Sequence, residues 1–128
     1  MSDRFWRLVF LTAGVFNIMV GLSMAFDTHD LAASAGIETV PYHAFYSPVT
    51  GWFIILFGLL YLAVWRDLEN RAIVLIGTLG KAGAVVLVLS AWQRGLVPAA
   101  MAGLVSIDAI YTALFAAFLW TSRSAAKA

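Results

Sequence analysis

The sequence contains no cysteine, so it forms no disulfide, offers no thiolate nucleophile and builds no cysteine metal site. Charge is scarce: Asp, Glu, Lys and Arg make up 12% of the 128 residues, and the net charge is +1. No basic patch with interleaved aromatics is present, which argues against a nucleic-acid partner. There is no HExxH pair, no glycine-rich phosphate loop and no Ser/His/Asp order, so hydrolase and nucleotide chemistry have no support. Histidine is limited to His29 and His43. The polar share of a soluble domain is missing too: 62% of the residues are hydrophobic and the mean hydropathy is +0.90. Apolar runs of about twenty residues in such a chain signify membrane spans.

Four such runs are present, over residues 5–26, 49–65, 72–92 and 96–120. They predict an all-α polytopic membrane protein, a single domain over residues 1–128. Its architecture is a four-transmembrane-helix bundle with a short external amphipathic helix between helices 1 and 2. The first run imitates a signal peptide, with Arg4 and Arg7 ahead of it and a small-x-small pattern at Ser23-Met24-Ala25. Its length and the interrupting Asn17 favour a span instead. On this run Ala13, Gly14, Asn17, Gly21 and Met24 share a face at helical spacing, which suits close packing against another helix.

The distribution of charge gives the orientation. Arg4 and Arg7 precede span 1, Arg66 and Arg71 lie between spans 2 and 3, and Arg123 and Lys127 follow span 4. All six fall on one side of a four-span chain, and only Arg94 falls on the other. The positive-inside rule then puts both termini in the cytoplasm. Tryptophan agrees, with Trp6, Trp65 and Trp120 marking the inner boundary and Trp52 and Trp92 the outer one.

The exception is Lys81. It follows Arg71 by ten residues, about 15 Å of helix, and so sits near the middle of a hydrocarbon core ~30 Å thick. A charge at that depth costs about 2.5–3.5 kcal/mol even on the lenient insertion scale, so it needs a partner or a function. The turn Gln93-Arg94-Gly95-Leu96 reverses the chain, and Asp108 lies about as far past it as Lys81 lies before it. Antiparallel neighbours place these two side chains at one depth. Asn17 and Tyr111 complete a candidate buried polar site of Lys81, Asp108, Asn17 and Tyr111. Its roles divide between a clamp that fixes helix register and a functional centre, with a snorkelling lysine as the third reading.

Residues 27–47 form the one long connection, with three acids, both histidines and no Lys or Arg. Residues 30–35 are expected to form a short surface helix, and Tyr42, Phe45 and Tyr46 to re-enter at the headgroup level. Asp27, His29, Asp30 and His43 form a second candidate site. Their spacing matches no metal signature, and histidines outside the spans do not suit haem, so neither a metal nor a cofactor is expected. Val40-Pro41 turns the chain, and Ser47-Pro48 is expected to open span 2 with proline near its first turn.

Two further patterns bear on organisation. Arg7 precedes Asn17 by the spacing that separates Arg71 from Lys81, and LTAGVFN loosely echoes LIGTLGK, which admits two parallel helical hairpins. Four spans with a lone mid-span lysine after Gly77-Thr78-Leu79-Gly80 also resemble small four-span bacterial membrane proteins. That resemblance implies the cytoplasmic membrane of a bacterium and a four-helix bundle, and carries no activity. The chain lacks the first-span glutamate of small multidrug exporters and the Arg/Asn/Glu pattern of four-span glutathione-type membrane enzymes.

The sequence thus predicts a non-enzymatic membrane protein that binds a lipid or hydrophobic small molecule, or serves as an accessory subunit of a membrane complex. The alternative is a small proton- or ion-coupled transporter that uses the Lys/Asp pair. The expected partners are membrane lipid and other membrane subunits or a second copy of the chain.

Overall fold

The structure is a computed structural model that describes residues 2–26 and 43–125. These residues form four α-helices and no strands: α1 Asp3–Phe26, α2 His43–Arg66, α3 Arg71–Gln93 and α4 Ala99–Ala125. Each contains a stretch long and apolar enough to cross a membrane. The shortest has 23 residues, about 35 Å at ~1.5 Å per residue, which exceeds the hydrocarbon thickness. Large apolar side chains such as Leu8, Met19, Phe53, Leu79 and Leu87 are exposed on the outside of the bundle, as a lipid-facing surface requires. The expected external helix over residues 30–35 lies outside the described residues.

The helix ends follow from local chemistry. The turn between α2 and α3 is held by Asp67, whose carboxylate accepts from the Glu69 amide at 3.0 Å and from the Asn70 side chain at 3.0 Å. Such side-chain-to-backbone bonds are what make Asp a turn residue. At the end of α3, Gly95 adopts φ +71°, a conformation that favours glycine. The Gly95 amide donates to the Trp92 carbonyl and the Leu96 amide to the Ala91 carbonyl, both at 2.9 Å. This pair of bonds is a Schellman closure, and it satisfies carbonyls that the helix end leaves open.

One boundary differs from expectation. Span 2 was expected to open at Pro48, but α2 begins at His43 and carries Pro48 inside it. Proline lacks an amide donor, so the helix gives up one hydrogen bond near its start. The Ser47 hydroxyl offsets this by donating to the Met24 carbonyl of α1 at 3.3 Å, which ties the extended start of α2 to its neighbour. Trp6, in the first turn of α1, turns its ring into the bundle. It is buried, with its ring edge-on to Phe118 at 5.3 Å.

Helices pair as two hairpins, α1 with α2 and α3 with α4, and the hairpins touch each other more sparsely. The first hairpin is built on four glycines. A Cβ added to Gly21 would come within 2.6 Å of the Gly51 carbonyl, and one added to Gly51 within 2.6 Å of the Gly21 carbonyl. Gly14 and Gly58 face each other in the same way, at 3.0 and 2.9 Å. The two backbones therefore approach more closely than any side chain would allow, which is how small residues promote association in lipid. Arg7 fastens the other end of this hairpin, donating to the Trp65 and Arg66 carbonyls at 2.6 and 2.9 Å.

The second hairpin repeats the first. Asn17 and Lys81 are 64 residues apart and hydrogen-bonded. The same shift carries buried Phe10 onto buried Val74, and Ala13 onto Gly77. A second constant shift carries Gly51, Tyr61 and Val64 of α2 onto Val105, Phe115 and Phe118 of α4, all buried. The arginine clamp recurs: Arg71 donates to the Leu119 carbonyl at 2.8 Å, the counterpart of Arg7 on Trp65. The bundle is thus two parallel hairpins about a pseudo-twofold axis running along the helices. Asn17 and Lys81 meet across that axis, as do Tyr61 and Phe115, with ring centroids 5.0 Å apart.

Aromatic rings fill the half of the bundle that carries Arg7 and Arg71. Phe10 packs on Phe115 at 5.0 Å and on Phe118 at 5.1 Å, beside the Trp6–Phe118 pair. A cavity lies in the other half.

Candidate functional site

Lys81 sits midway along α3, one turn after Gly77, and is 6% exposed. Its ammonium forms a salt bridge with Asp108 Oδ1 of α4 and donates to Asn17 Oδ1 of α1 at 3.0 Å. Three aromatic rings surround the same nitrogen, with centroids at 5.9 Å for Phe16, 5.5 Å for Tyr61 and 5.4 Å for Tyr111. Rings at this range attract a cation through their negative faces. A carboxylate, an amide oxygen and three π-faces thus replace the water that Lys81 forgoes. Leaving any buried charge unmatched would cost several kcal/mol, about as much as a whole core side chain contributes.

The backbone makes this arrangement possible. A Cβ on Gly77 would lie 2.6 Å from the Tyr61 ring and 2.9 Å from its hydroxyl. The bare α3 backbone therefore lets Tyr61 lie flat beside the lysine. On α4, Thr112 turns its hydroxyl back to the Asp108 carbonyl at 2.7 Å and leaves the carboxylate to Lys81.

Beside this cluster is a cavity of about 250 Å³. Its floor is Asn17, Tyr61, Lys81 and Asp108, and its walls are chiefly apolar, with Phe16, Ile54 and Phe57 among them. It straddles the pseudo-twofold axis: Phe16, Asn17 and Val20 on α1 shift onto Gly80, Lys81 and Ala84 on α3, and all six line it. Equivalent positions differ in type around the cavity. Phe16 is matched by Gly80, Val20 by Ala84, Ile54 by Asp108 and Phe57 by Tyr111. The α3 wall is therefore cut back, and α4 supplies the acid. Phe53 of α2 and Gly80 of α3 both line the cavity and are exposed, so it opens sideways between α2 and α3, towards the lipid-facing perimeter.

The structure brings Lys81, Asp108 and Asn17 into direct contact and puts the Tyr111 ring, not its hydroxyl, against the lysine. Tyr61 and Phe16 belong to the same cluster, although the sequence did not mark them for it. The glycine one turn before Lys81 was the available signal for Tyr61, because a gap beside a buried cation invites a ring. Of the external group, Asp27, His29 and Asp30 lie outside the described residues, and His43 enters as the first residue of α2. Among the described residues no group of three His, Asp or Glu side chains is placed to hold a metal ion.

No family model matches the chain, and neither a curated protein nor a solved structure resembles it.

Proposed function

We propose that this chain is a non-enzymatic integral membrane protein that binds a lipid or other hydrophobic molecule between its helices. The carrying observation is the cavity: apolar walls, a polar floor and an opening between α2 and α3. A volume of 250 Å³ exceeds the ~150 Å³ that admits a benzene ring and falls just short of the ~300–1,000 Å³ of drug-sized ligand pockets. It suits one end of an amphiphile, with the remainder in the bilayer. The arginines of the aromatic-filled half support a placement in a bacterial cytoplasmic membrane with that half inside. The ligand would then come from the outer leaflet.

The test is native mass spectrometry on protein extracted under mild conditions. The expected result is a retained lipid-sized mass, lost in Gly80→Phe, where the new ring occupies the mouth of the cavity. A wild-type protein that carries no such mass would overturn this reading. Co-purifying foreign subunits would favour an accessory role, which the unpartnered small face of α4 supports: Gly103, Ser106 and Ala109 are exposed.

A second reading, a proton-coupled transporter, is favoured by one observation. Asp108 lines the cavity and is 23% exposed while paired with buried Lys81. A carboxylate open on one side and bound to a cation on the other can exchange a proton with a passing substrate. Proton flux into liposomes, abolished by Asp108→Asn, would put this reading first.

A further inference from the structure

The cavity floor has more hydrogen-bonding capacity than the chain uses. Asn17 accepts from Lys81 through Oδ1, but among the described residues its amide nitrogen has no acceptor. Among the described residues the Tyr61 hydroxyl likewise has no hydrogen-bond partner, although the residue is 1% exposed. Asn17 is nearly as buried, at 7%. Among the described residues, every fully enclosed side-chain polar atom has a partner. Both residues line the cavity. Lys81 and Asp108 beside them neutralise each other. The floor thus presents unused donors in a setting of zero net charge.

We infer that the cavity takes its amphiphile head-first, and that the head is a compact, uncharged hydrogen-bond acceptor of the ketone or ester class. The inference rests on the reading of the cavity as a hydrophobic-ligand site and specifies what that site selects. A carbonyl oxygen has two lone pairs, enough for the Asn17 amide and the Tyr61 hydroxyl together. A purely apolar end would leave both donors unpaired at mid-span depth, where no lipid group replaces the lost bonds. An ammonium or a carboxylate would add a charge to a cluster that is already balanced, at the depth where charge is most costly. The tail leaves between Phe53 and Gly80, since the enclosed volume holds a head and a few carbons and not a whole chain.

The experiment uses the full chain in detergent and four probes of equal length: methyl octyl ketone, decylamine, decanoic acid and decane. Binding is read by native mass spectrometry and by the shift in unfolding temperature. The ketone is expected to bind most tightly. Tyr61→Phe keeps the ring, removes one donor and should weaken the ketone by about threefold to tenfold, the value of one hydrogen bond. Decane binding should not change in that variant. The ranking of the four probes on the wild-type chain is a measurement independent of how any variant folds. Decane binding as well as the ketone would overturn the inference and leave the hydrophobic-ligand reading standing. Decylamine or decanoic acid binding most tightly would also overturn it, because the Lys81–Asp108 pair would then be opening to a charged head. No binding by any probe would remove the ligand-site reading, and this inference with it.

Discussion

At the scale of single residues, the centre of the molecule is an ion pair whose members depend on each other. Removing one partner of a buried pair typically costs about 3–5 kcal/mol, because the survivor is left charged and unmatched. Lys81→Met and Asp108→Leu are each expected to lower stability in mixed micelles by that order. The double variant should lose much less than the sum of the two, and additive losses would show that the pair is not coupled. Asn17→Leu should cost about 1–3 kcal/mol, the penalty of one unmatched polar contact. This pair was legible in the sequence, because one turn separates two charges at equal distances from it. Asn17 was legible as the polar member of a small-residue face. Phe16 and Tyr61 were not, because an aromatic ring in an apolar span carries no mark that separates a cage from a core.

At the scale of helices, the glycines divide into two kinds. Gly14, Gly21, Gly51 and Gly58 lie against opposing backbone, whereas Gly83 and Gly103 have open space beside them. Gly21→Ala would drive its Cβ into the Gly51 carbonyl and the Ile55 backbone amide, neither of which can swing aside. A loss of about 1–3 kcal/mol is expected, the usual cost of overpacking. Gly83→Ala should be neutral, or stabilising by up to about 1 kcal/mol from helix propensity alone. Unfolding of the two variants side by side checks the contrast, which disappears if α1 and α2 do not meet along this seam. Spacing in the sequence showed that Gly51 and Gly58 share a face and that Gly14 and Gly21 share another. It did not show that these faces oppose each other, since any small face can serve any helix. The early start of α2 was hidden for a related reason. Proline usually marks a helix entrance, and the bond from Ser47 that stabilises the extra turn comes from a distant part of the chain.

At the scale of the whole molecule, four spans and their approximate limits followed from hydrophobic length alone, because a bilayer sets that length. The repeat was visible only as a shared spacing between Arg7–Asn17 and Arg71–Lys81 and a loose echo of LTAGVFN in LIGTLGK, since most side chains at equivalent positions differ in type. Burial makes the repeat plain, because equivalent positions need the same depth and not the same residue. Topology remains a prediction at this scale. The native chain has no cysteine, so single cysteines can report on each side. Glu69→Cys is expected to react with an impermeant thiol reagent only from the cytoplasm, and Arg94→Cys only from outside. The opposite pattern would invert the bundle and move the cavity to the inner leaflet.

The glycine seam also bears on the order of synthesis. α1 and α2 leave the ribosome first, and their contacts, the Gly14/Gly58 and Gly21/Gly51 approaches and the Arg7 clamp, need nothing from the second half of the chain. This hairpin can settle in the bilayer before α3 enters it. Asn17 and the Tyr61 ring precede Lys81 in the chain, and Asp108 follows it, so the first hairpin can be in place when Lys81 enters the membrane and before Asp108 has entered it. The first hairpin thus acts as an internal chaperone for the costliest residue of the second, sheltering a charge from lipid until its counterion arrives.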